Sequence, residues 1–149
     1  AKLTETERLQ KQLDALTAYR EASAEAGFGA GHVMVSRQMI PVRSEAELER
    51  YVTLLPRERA ARPGVSGEHH AHEIGGREAV FGEVVLDQPD VVARAMWEDP
   101  VVQAADEIVL VLPLGAPPED QRELLATFAS LVIPPLRLVL TRRRGEHAG

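Results

Sequence analysis

The chain has no cysteine, so a disulfide framework, a thiolate metal site and a cysteine nucleophile are all excluded. Aromatic residues are scarce: one tryptophan, two tyrosines and three phenylalanines leave most of the core to Leu, Val, Ile and Ala. No run of roughly 18 apolar residues is present, which argues against a membrane span. Positive charge is short as well, with 17 Lys and Arg against 23 Asp and Glu and a formal charge of −6. A non-specific nucleic-acid binder lives by neutralising phosphates, so that partner is not expected. Glu5, Glu7 and Asp14 break the apolar centre a secretory leader would need, and the cytoplasm is the expected location.

What is present suits one soluble α/β unit over residues 1–149, with 44% hydrophobic and 27% charged residues. Thr4-Glu5-Thr6-Glu7 has the form of a capping box, and Leu9, Leu13 and Leu16 follow on one helical stripe. The helix is expected to end at Gly27, Gly29 and Gly31. His32 to Val42 reads as a strand, with Val33, Val35, Arg37 and Met39 on one face and Met34, Ser36, Gln38 and Ile40 on the other. Ser44-Glu45-Ala46-Glu47 is a second capping box, followed by the stripe Leu48, Tyr51, Val52 and Leu55.

From residue 57 to residue 77 the sequence has Pro63, four glycines, several charges and three histidines without a period, which predicts a long loop or lid. Ala79–Leu86 reads as the next strand and Asp87-Gln88-Pro89-Asp90 as the turn into a helix buried through Val91, Val92, Ala95 and Met96. Ile108–Leu112 is an unbroken apolar run, the signature of a strand covered on both faces. A last helix carries Leu124, Leu125, Phe128, Leu131 and Val132, with Pro134-Pro135 as its stop, and residues 142–149 form a basic tail. A helix followed by three strand–helix units implies parallel strands in an α/β layer structure, and the strands Val80–Leu86 and Ile108–Leu112 are expected to be parallel neighbours.

Ala105–Pro113 with the turn Gly115–Glu119 and Leu124 through Arg137 look like the final strand and helix of luciferase-like flavin-dependent oxidoreductases. Val84–Val92 resembles the segment entering that family's penultimate helix, with Asp87 in place of the family glycine and Gln88 in place of a small hydroxyl residue. Val33 to Leu48 is similar to the preceding strand and capped helix. The resemblance implies the C-terminal part of a TIM-like (β/α)8 barrel, which needs about 250 residues. A chain of 149 residues is then a cleaved, split or truncated piece, or a shortened relative. The expected partners are a complementary N-terminal barrel chain or a second copy, together with a small-molecule substrate.

In that family the carboxyl rim of the strands holds FMN or a deazaflavin. The resemblance therefore implies cofactor contacts from Ser36, Arg37 and Gln38, with Asp87, Gln88, Leu114 and Gly115 on the same rim. Arg37 has two readings: its fork pairs with a phosphate or anionic flavin ring, or it forms an ion pair with a neighbouring carboxylate. The implied activity is monooxygenation or hydride transfer on a small organic substrate, with no general acid or base identified. The alternative is a non-enzymatic α/β regulatory or binding module that self-associates.

Glu68-His69-His70-Ala71-His72-Glu73 contains ligand-type side chains, but adjacent histidines in an unperiodic loop rarely converge on one ion, so no metal site is expected. A histidine there would serve at most as a proton shuttle in a lid. Trp97 is expected to pack, and Gly27–Gly31 precedes a strand rather than following one, so it is not a dinucleotide fingerprint.

Overall fold

The computed structural model describes residues 4–55, 71–74, 77–80, 84–113 and 115–137. Helix α1 (Glu5–Glu25) begins on the predicted capping box: Thr4 Oγ1 accepts from the Glu7 amide at 3.2 Å, and the Glu7 carboxylate accepts from the Thr4 amide at 2.8 Å. Helix α2 (Glu45–Leu54) uses only half of its box. Ser44 caps the Glu47 amide, but the Glu47 carboxylate turns away to the amide and guanidinium of Arg43. Packing supplies most of a helix's stability in a protein, and here α1 packs through Leu9, Leu13 and Leu16 and α2 through Tyr51 and Leu55.

Strand β1 (Met34–Pro41) is the centre of a parallel three-stranded sheet of order β4-β1-β5, where β4 is Val84–Asp87 and β5 is Glu107–Leu110. The pairing is staggered. The first half of β1 pairs with β5, Met34 opposite Glu107 through Arg37 opposite Leu110, and the second half pairs with β4, Gln38 opposite Val84 through Pro41 opposite Asp87. The strands from the last two units are parallel as expected, but they are not neighbours, because β1 stands between them. A barrel keeps consecutive strands side by side, so this order is that of an open sheet. The mixed α/β class with three parallel strand–helix units stands.

Each face of the sheet has its own core. Met39 packs with Val92, Ala93 and Met96 of α3 (Pro89–Glu98) and with Phe128 and Val132. On the same face Val35 packs with Val101 and Val102 of α4 (Pro100–Ala104) and with α1. On the other face Ile40, Val84 and Leu86 meet Tyr51 and Leu55 of α2 and Leu124 of α5 (Pro118–Thr127). Ile40 is wholly excluded from solvent, and burial of such a side chain contributes about 1.5–3 kcal/mol. This second face is covered only over the carboxyl half of β1. Towards the amino end, Met34, Val109 and Val111 are 61%, 41% and 39% exposed.

Two further expectations need correction. Pro134-Pro135 does not stop the last helix: α5 passes into a π turn, Phe128–Val132, and residues 133–137 remain helical. The widened turn, in which the Ile133 amide donates to the Phe128 carbonyl, relieves the clash a proline ring makes with the preceding turn. Leu125 and Leu131 lie exposed, so of the expected stripe Leu124, Phe128 and Val132 are buried, and Leu136 on the continuation joins them.

The long loop is not wholly a loop. Its end carries strand β2 (Ala71–Ile74), antiparallel to β3 (Arg77–Val80) in a separate two-stranded sheet, while residues 56–70 lie outside the described residues. The single strand expected over Ala79–Leu86 is accordingly split between β3 and β4. The basic tail, 142–149, also lies outside the described residues. No helix among the described residues is long and apolar enough to cross a membrane.

Candidate functional site

A cleft of about 600 Å³ opens between α1 and the amino half of β1, lined among others by Gln12, Tyr19, His32, Met34, Ser36 and Arg37. Its size falls within the roughly 300–1,000 Å³ typical of small-molecule sites, and its walls combine apolar surface with a few polar groups. The sequence explains its shape. Alternation along β1 turns the Ser36 hydroxyl outward and buries Arg37, and α1 leaves its glycine exit close enough for the chain to double back alongside Tyr19. Gly31 has φ +69°, and a Cβ at that position would lie 2.6 Å from Tyr19 Cε1. Glycine is therefore required here for both backbone and contact reasons.

The floor of the cleft is an internal ion pair. Arg37 Nε donates to Asp99 Oδ2 at 2.7 Å, Nη1 donates to the Ser36 carbonyl at 3.0 Å, and Nη2 donates to Gln12 Oε1 at 3.0 Å. The two charged side chains are 8% and 10% exposed. Asp99 Oδ1 accepts from the amides of Val101 and Val102, so the same carboxylate caps α4. Of the two readings of Arg37, the structure shows the ion pair with a carboxylate.

Further polar contacts flank the cleft. His32 Nε2 lies 3.2 Å from Glu107 Oε2, and Arg20 donates to Asp106 at 3.0 Å. The Val33 amide donates to the same Asp106 oxygen at 2.9 Å. That amide bond, aided by Arg20 and opposed by partial burial, holds the Asp106 carboxyl below the usual carboxylate range.

Of the three expected cofactor contacts, the cleft brings together Ser36 and Arg37 but not Gln38. All three stand in the middle of β1 rather than at its carboxyl rim, since Met39, Ile40 and Pro41 follow within the strand. The rim itself is occupied differently. Asp87 Oδ1 accepts from the Gln88 amide at 2.7 Å, and Leu114 lies outside the described residues. Arg43 pairs with Glu47 and Glu123, and Arg50 pairs with Asp120 and Glu123, each at 3.1 Å. Burial opposes the Glu47 charge, but the Arg43 hydrogen bonds outweigh it and lower that carboxyl's pKa. Tyr51 hydroxyl donates to the Asp120 carbonyl, and burial pushes its phenol up. These ion pairs tie α2 to α5 and leave both arginines matched.

Sequence reading missed Asp99, Gln12 and the Arg43–Glu123 array. A signal for Asp99 existed: an aspartate directly before Pro100 is the pattern of an N-cap followed by proline at the first helical position. Gln12 carried none. Trp97 packs against the α3 core and borders a smaller groove of about 240 Å³. His69 and His70 lie outside the described residues, and no cluster of metal-binding side chains occurs among those described.

Comparison with family models, with curated proteins and with solved structures finds no match to this chain.

Proposed function

We propose that this chain supplies one wall of a small-molecule site in a luciferase-like flavin-dependent monooxygenase or oxidoreductase. The observation that carries the reading is the α1–β1 cleft, which places Ser36 of the resembling strand beside the apolar side chains of Tyr19 and Met34. The fit to a flavin is partial. A planar ring suits the apolar walls, with Ser36, Gln12 and His32 as polar edges, whereas the charge of Arg37 is consumed by Asp99 and is not offered to a phosphate. The proposal therefore takes the ligand class, FMN or a deazaflavin, from the resemblance and gives the chain's residues the task of holding the ring. When bound, a reduced flavin supplies hydride transfer or oxygen chemistry; the chain orients it and excludes water. The barrel part of the resemblance is not carried over, because β1 stands between β4 and β5 in the described sheet.

A second reading, a non-enzymatic α/β module that self-associates, is favoured by one observation. The guanidinium expected to meet the cofactor instead stabilises the fold.

Titration of the purified chain into FMN, followed by flavin fluorescence, separates the two. The first reading predicts saturable quenching in the micromolar range that Ser36→Trp, by filling the cleft, weakens at least tenfold. Unchanged fluorescence at millimolar chain leaves the second reading.

A further inference from the structure

The geometry points to β5 as an edge through which two copies of this chain pair, antiparallel about a twofold axis at Val109, to make one continuous six-stranded sheet. Among the described residues β5 has a single neighbour, β1. The amides of Glu107 and Val111 donate to the carbonyls of Val33 and Arg37, so the alternate residues Ile108 and Leu110 turn their backbone N–H and C=O groups to the free edge. An edge of this kind is normally guarded by charge, proline or a bulge. Here Ile108, Val109 and Leu110 run without any of these, and proline appears only at Pro113.

A second copy is the occupant that this edge fits. Antiparallel pairing of a strand with itself about a twofold needs no second surface, because the same residues serve both sides. With the axis at Val109, Ile108 stands opposite the second copy's Leu110, and the outward donors and acceptors of both residues are satisfied in reciprocal pairs. Val109 meets its own counterpart on the sheet face that α2 and α5 leave uncovered, and Val111 flanks it. The joined sheet therefore brings β-branched side chains from the two copies together. Charge is compatible as well. Glu107, the one acidic residue of β5, falls opposite Val111, and the two Glu107 side chains are about 14 Å apart along the sheet, beyond a Debye length of roughly 8 Å. Edge pairing buries less area than a standard interface, which puts the dimer among weak, concentration-dependent associations.

The absence of native cysteine makes the register directly testable. Sedimentation velocity of the unmodified chain at tens of micromolar is expected to show a concentration-dependent dimer. Under mild oxidation Val109→Cys, whose side chains face each other at a non-hydrogen-bonded pair, is expected to give a covalent dimer, while Val111→Cys, four residues removed from its counterpart, is not. Circular dichroism and melting of both variants confirm that they fold. A monomer at these concentrations overturns the inference, whatever the variants do. Equal cross-linking of the two variants, or none from a folded Val109→Cys, overturns the pairing about Val109.

Discussion

Arg37 and Asp99, 62 residues apart in sequence, are joined at 2.7 Å with both side chains almost fully buried, and the carboxylate that neutralises the arginine also caps α4. One pair therefore fixes the central strand to a helix on one face of the sheet. Removing one partner of a buried pair strands the other charge, at a cost of about 3–5 kcal/mol. Arg37→Ala is expected to fall near the lower end of that range, because Asp99 keeps its amide donors. Urea unfolding measures the loss, and the flavin affinity of the folded fraction should be unchanged. A stable variant with weakened flavin binding would return Arg37 to the role of a cofactor ligand.

The glycine exit of α1 gives a paired comparison. Gly29 and Gly31 both have positive φ, +75° and +69°, but a Cβ at Gly29 meets nothing within 4 Å. Gly29→Ala should therefore cost only the left-handed backbone term of about 1–2 kcal/mol. Gly31→Ala should cost more, since it also displaces Tyr19 from the cleft. Equal losses in thermal unfolding would show that Tyr19 moves freely.

Acidification should weaken the fold through Asp106 and Glu47. Both carboxyls have folded-state pKa values lowered by hydrogen bonds, from the Val33 amide and from Arg43. A depressed carboxyl contributes stability that is fully present above its unfolded pKa, about 4, and is lost as pH falls through the lower folded value. The urea midpoint should decline below about pH 4 in the parent chain. Asp106→Asn should reduce the dependence in that window, and an identical profile for the variant would remove Asp106 from the account.

Riboflavin should bind as well as FMN. At the cleft, Arg37 and His32 each face a carboxylate, Asp99 and Glu107, so the FMN phosphate gains no charge-assisted contact from them. Affinities within about threefold are expected from parallel fluorescence titrations. A tenfold advantage for FMN, equivalent to about 1.4 kcal/mol, would show a phosphate contact outside this cleft.

Local signals were legible because they are local. Thr4 and Ser44 announced their helices through side-chain to amide bonds three residues long, and period-2 alternation located β1 and the opposite orientations of Ser36 and Arg37. The strand order was not legible, since Ile108–Leu112 has the same apolar pattern beside β1 as it would have beside β4. Nor was the partner of Arg37, because nothing near it in sequence carries the necessary carboxylate. The helical continuation through Pro134 and Pro135 depends on a π turn set by Phe128 and Val132 packing onto α3, a tertiary effect that overrides proline's ordinary role as a breaker. The β2–β3 pair escaped notice because its strands are four residues each and rich in charge.

The most direct test of the flavin reading is the amide NMR spectrum of the isotopically labelled chain, recorded with increasing FMN. The cleft assignment predicts saturable shifts concentrated at Gln12, Tyr19, His32, Met34 and Ser36. Shifts concentrated instead at Val42, Arg43, Asp87 and Gln88 would place the ligand at the carboxyl rim, and no shifts at all at millimolar flavin would contradict the proposed function.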